Sequence, residues 1–133
     1  MDRDSILEYV KDNLSIAGVT IKREVQEDGE ESNQDFTLFP LIIIEAGDST
    51  SETFTSNQVR ETLPIKLNLY TQDEPPVQIE TYKDAVDSFF RTDYKLGGNV
   101  ILVSDMDFDE TISGEGEVQE TVITATVLFN KIF

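Results

Sequence analysis

Three aspartates at alternate positions, Asp105, Asp107 and Asp109, are the most suggestive chemistry in the chain. A D-x-D-x-D run opens the ligand set of a calcium loop, in which hard carboxylate oxygens surround the ion. The rest of that loop fails. Glu110 stands where the turn needs glycine, and Gly116 where the loop needs a bidentate glutamate. The run therefore reads as an acidic connection after a strand. The chain has no histidine and no cysteine. That removes Ser-His-Asp and Cys-His nucleophiles, zinc sites built on those ligands, and any disulfide framework. Gly97-Gly98 has no Lys-Ser/Thr behind it, so there is no P-loop. Carboxylate pairs of the kind glycosidases use can be drawn from 27 acidic residues almost at will, which makes any one pair uninformative. Glu45, just after an aliphatic run, is the carboxylate best placed to be partly enclosed, and a capping or inter-subunit ion-pair role suits it better than catalysis. No catalytic residue, metal or cofactor is expected.

Charge restricts the partners. Ten basic residues against 27 acidic ones give a formal net charge of −17, beyond the ~2–8 usual for a small soluble domain. Lys22-Arg23 is the only adjacent basic pair, so the surface should repel duplex DNA. The 133 residues suffice for one domain with a real core. Met1-Asp-Arg-Asp opens a charged helix, not an apolar signal segment. The longest aliphatic run, Leu41–Ile44, is far short of the ~20 residues a membrane helix needs. A cytosolic product is the simplest reading, and no membrane partner is expected.

The positioning elements follow from periodicity. Ile65, Leu67 and Leu69 alternate with Lys66, Asn68 and Tyr70, as in a strand with one buried face. Thr71–Pro76 (TQDEPP) stops it. Tyr82, Ala85, Val86, Phe89 and Phe90 then recur as one face of a helix, which ends before Gly97-Gly98. Ser5–Leu14 is a second helix, with Ile6, Leu7, Val10 and Leu14 on its apolar face, Ser5 and Glu8 at capping-box spacing, and Gly18 as its stop. Strands are expected at Val19–Val25, at Phe36–Glu45 (at an edge, or starting after Pro40), over Val59–Tyr70, at Val100–Val103 and over Gln119–Phe133. Leu41–Ile44 is apolar at every position, which suggests one face under the helices and the other against a neighbouring subunit. In the last strand Ile123, Ala125, Val127 and Phe129 share a face. Together these predict one α+β domain over 1–133: a mixed, mainly antiparallel sheet of about four to five strands with two helices packed on one face.

Three polar stretches are expected to be mobile loops: 26–35, 46–57 and 104–116. The first, with Asp28, Glu30 and Glu31, is either a charged contact surface or, more commonly for such runs, a solvated connection. The second carries Phe54 between Thr53 and Thr55; a single aromatic there is either an interaction anchor or a residue folded back on its own core. Loops carry contacts on rigid scaffolds, so the candidate interaction surface is Thr53, Phe54, Thr55, Glu45, Asp28, Glu30 and Glu31.

The order helix, strand, strand, strand, helix, strand, strand is set by ILEYVKDNL at Ile6–Leu14, LIIIEAGD at Leu41–Asp48, LPIKLNLYTQDEPP at Leu63–Pro76, VDSFF at Val86–Phe90 and VITATVLFNKIF at Val122–Phe133. This resembles the tail terminator (tail completion, or head–tail joining) proteins of long-tailed bacteriophages, over nearly the whole chain. The resemblance implies a structural virion protein without enzymatic activity or cofactor. It implies a ring of the protein with itself, usually a hexamer, seated on the tail tube protein in the neck of the virion after assembly in the host cytoplasm. Such a ring ends tail polymerisation and offers a surface to the head completion or connector protein, while DNA passes through its channel without specific binding. Two alternatives stay open: another neck or tail protein (head-closure stopper or tail-tube subunit), and an acidic nucleic-acid mimic that inhibits a DNA-binding enzyme.

Overall fold

The structure is a computed structural model that describes residues 3–23, 39–55, 57–98, 100–111 and 118–132. Two helices and a six-stranded mixed sheet make an α+β fold. The elements are α1 (Arg3–Asn13), β1 (Thr20–Arg23), β2 (Leu41–Ala46), β3 (Thr50–Thr55), β4 (Gln58–Gln72), α2 (Pro76–Thr92), a short 3-10 turn (Leu96–Gly98), β5 (Leu102–Thr111) and β6 (Val118–Ile132). The sheet runs β1-β2-β4-β6-β5, with β3 beside the first half of β4. Among the described residues, only the β1–β2 pair is parallel.

The long strand β4 organises the sheet. Leu63, Ile65, Leu67 and Leu69 are fully buried on one face. Opposite them in register stand Val127, Ala125 and Ile123 of β6 on one side, and Ala46, Ile44 and Ile42 of β2 on the other. Both helices bury their apolar stripes against this face: Ile6, Leu7 and Val10 from α1, and Ile79, Tyr82, Val86 and Phe90 from α2. Pro76 occupies the first turn of α2, where its missing N–H costs nothing, and Pro75 caps it in an extended conformation. Lys83 of α2 lies 5.5 Å over the Phe108 ring of β5 and also meets Glu80.

Several expectations need correction. Ser5 is the third residue of α1, not its cap; Glu8 accepts from Arg23 of β1 at 3.0 Å, and Asp4 binds the same guanidinium. Of the two alternatives for β2, the second holds: it starts after Pro40, and it is interior, between β1 and β4. Leu41 and Ile43 face away from the helices and are 0% and 4% exposed within this one chain, so their burial requires no neighbouring subunit. The stretch read as a loop over 46–57 is largely strand: β3 and β4 form an antiparallel hairpin that turns between Thr55 and Gln58. The acidic connection 104–116 is strand as far as Thr111, paired along β6 from Leu102. Of the strand expected at Val100–Val103, only Leu102 and Val103 are strand, the beginning of that longer one. The stretch 26–35, with its expected mobility, lies outside the described residues, as do 24–25, 36–38 and the remainder of 104–116.

Candidate functional site

The expected interaction residues do not assemble into one place. Glu45 sits in β2 directly across from Lys66 of β4, so its nearest cation by register belongs to its own chain. Thr53 sits in β3 across from Val59 of β4. Lys66 and Val59 are seven residues apart on one strand, and at ~3.3 Å per residue this separates the two positions by roughly 23 Å. Phe54 falls at the register shift between Thr53 and Thr55, at the tip of the hairpin. Asp28, Glu30 and Glu31 lie outside the described residues. The described part of the candidate surface is thus a hairpin end plus one distant carboxylate on the sheet.

Strand geometry disposes of the calcium reading. Asp105, Asp107 and Asp109 pair in turn with Thr126, Thr124 and Val122 of β6, all on the face away from the helices. The backbone positions of Asp105 and Asp109 are ~13 Å apart along the strand, whereas the ligand oxygens of one calcium ion each lie ~2.3–2.6 Å from it and so within about 5 Å of one another, a gap that two short aspartate side chains do not close. All three aspartates therefore cannot converge on one ion as the opening of a calcium loop does. Among the described residues, no group of three or more metal-ligating side chains is present.

The sheet does build a groove that periodicity did not disclose. Between the end of α2 and the start of β5 lies an open cavity of about 690 Å³, lined by Phe90, Tyr94, Ile101, Val103 and Met106 among others. Arg91 and Lys95 line it as well. Arg91 is engaged by Asp87 at 2.8 Å, and Lys95 lies 5.7 Å over the Tyr94 ring. Tyr94 is half exposed, at 51%. Ser104 and Asp105 also line the groove, and the Ser104 hydroxyl donates to the Thr126 carbonyl of β6 at 3.1 Å. The groove's only sequence signals are an aromatic and a lysine after a helix, too common to single out.

Two further polar clusters tie α1 to its neighbours. Tyr9 of α1 donates to Asp93, just past α2, at 2.5 Å, and the other oxygen of Asp93 accepts the Gly97 amide at 2.9 Å. The hydrogen bond to the Asp93 carboxylate, followed by burial and the carboxylate's charge, pushes the Tyr9 hydroxyl above its ordinary pKa. Gly97 has φ 68°, and a Cβ there would lie 2.6 Å from the Tyr9 ring. The Asp4 carboxylate, despite partial burial of the cation, raises the Arg23 pKa, with Glu8 adding to the effect.

No known family model matches the chain, and no curated protein matches it either. Among the described residues, no helix is long and apolar enough to cross a membrane.

Proposed function

We propose that the chain is a structural protein of the bacteriophage neck, a tail terminator that caps the tail tube as a ring and gives the head connector its seat. The observation that carries this reading is the order of elements: a short N-terminal helix, a mixed sheet, a second helix on the same face, and a long C-terminal strand. It is the arrangement the resemblance implies. The absence of histidine and cysteine from the sequence fits a protein that works by contact rather than chemistry. In this reading the β3–β4 hairpin, which runs along β4 past the end of β2, meets the neighbouring subunit or the tube. The charge of −17 per chain gives a ring whose surface repels DNA in transit and whose subunits repel one another until salt screens them.

Negative-stain electron microscopy of the purified protein at physiological salt tests this. Closed rings with an axial channel, six-fold in class averages, are the expected outcome; long tubes would make the protein a tail-tube subunit instead. A second reading, an acidic mimic of nucleic acid, is favoured by the row Asp105, Asp107 and Asp109, exposed on one strand face. Tight inhibition of a basic nuclease by the isolated chain would select it.

A further inference from the structure

The free edge of β5 combines three features that the neck reading does not use. Among the described residues, β6 pairs with one side of β5 and no strand pairs with the other. On that free side the Val103 N–H is taken by the Tyr94 carbonyl at 2.9 Å. Farther along, the Met106 N–H donates to Asp105 Oδ1 at 2.9 Å and the Phe108 N–H to Asp107 Oδ1 at 3.1 Å. Alternate residues of an antiparallel strand bond the neighbouring strand. Amides satisfied by their own chain's carboxylates therefore belong to the set that points off the sheet. The edge is a template for a further strand, closed by two aspartate side chains. At its beginning lies the groove, to which Phe90, Tyr94 and Met106 contribute apolar surface.

We propose that the β5 edge docks an extended segment of another protein, with lysine or arginine at alternate positions and apolar residues between them. The charge pattern decides the occupant. Asp105, Asp107 and Asp109 share the outer face of the edge and are exposed, and none of the chain's described ion pairs includes them. Basic side chains laid across from them draw the carboxylates off the Met106 and Phe108 amides. Carbonyls of the incoming strand then take those amides. The apolar residues between face the helix layer, and the first of them enters the groove, whose cations are already occupied by Asp87 and the Tyr94 ring. An acidic strand is excluded by like charge, and a second copy of this chain, at −17, carries the wrong sign. This surface stands whether or not the protein forms a ring.

The test uses the full chain and two labelled peptides at physiological salt, one alternating valine and lysine, the other valine and glutamate. Anisotropy reads binding, and amide NMR reads its place. The lysine peptide is expected to bind and to shift the Met106 and Phe108 amides and protect them from exchange, while the glutamate peptide does neither. Asp105→Asn with Asp107→Asn weakens binding about tenfold, the size expected of two cross-strand charge pairs. Met106→Pro removes an amide that β6 does not use, a change an edge strand accepts, and it abolishes docking. If the double asparagine variant does not fold, the proline variant and the native amide shifts decide. Binding undiminished in Met106→Pro, or binding that leaves both amides unchanged, is general attraction to an acidic surface and overturns the proposal. Protection of those amides in the protein alone, with a doubled mass, puts a second copy there and overturns it too.

Discussion

Phe90→Ala measures how firmly α2 is seated. Phe90 is 1% exposed and packs edge-to-face on Phe89, with ring centroids 5.1 Å apart at 80°. Replacing a buried phenylalanine by alanine costs ~3–5 kcal/mol. Phe90 also lines the open groove, so the space it leaves can admit water, and the lower end, about 3 kcal/mol, is expected. Domains are stable by ~5–15 kcal/mol in total, so the variant should fold while losing a fifth to more than half of its stability. At about 4 °C per kcal/mol for a chain of this size, its melting temperature falls by roughly 12 °C. Urea unfolding followed by circular dichroism should show a lower midpoint at an unchanged slope. Val77 lies on the same helix and is 73% exposed, so Val77→Ala should stay within ~0.5 kcal/mol of the parent. A Phe90→Ala cost below about 1 kcal/mol, or equal to that of Val77→Ala, would refute the packing argument.

The other predictions concern the clasp between α1 and the 3-10 turn, and the acidic row. Because the Tyr9 pKa is raised in the folded state, the hydroxyl's contribution is complete below pH 10, the unfolded value, and disappears as pH climbs through the folded one. Tyr9→Phe should therefore flatten the alkaline loss of stability relative to the parent; identical alkaline limbs would contradict the hydrogen bond to Asp93. Gly97 and Gly98 both have positive φ, but only at Gly97 does a Cβ meet a neighbour. Gly98→Ala should cost about 1–2 kcal/mol for backbone strain alone, and Gly97→Ala clearly more, as judged by chemical denaturation. Millimolar calcium should raise the melting temperature no more than magnesium at the same ionic strength, since the aspartates of β5 cannot share one ion; a calcium-specific rise would show that they do.

The sheet core and both helices were legible because their apolar residues follow one period without interruption: Leu63–Leu69 and Ile123–Phe129 at every second position, Tyr82–Phe90 at helical spacing. Two strands were misread where charge or hydroxyls masked the same period. Met106 and Phe108 alternate with Asp105, Asp107 and Asp109, and this is itself a strand pattern with one wet face, yet the aspartates dominate it as loop residues. Likewise Thr50, Thr53 and Thr55 are β-branched, but no aliphatic run marks them. Ser5 and Glu8 had capping spacing, and the cation of β1 binds the glutamate. Such a pairing across 15 residues leaves no local trace. The groove depends on how the end of α2 meets the start of β5, a tertiary relation that neither segment encodes alone.

The most direct test of the neck reading is the absolute mass in solution by light scattering, at low ionic strength and at physiological salt, where the screening length falls to ~8 Å. Chains of charge −17 should stay apart when unscreened and close into a ring of one defined stoichiometry as salt rises. A mass that instead grows without limit with concentration would contradict the terminator assignment.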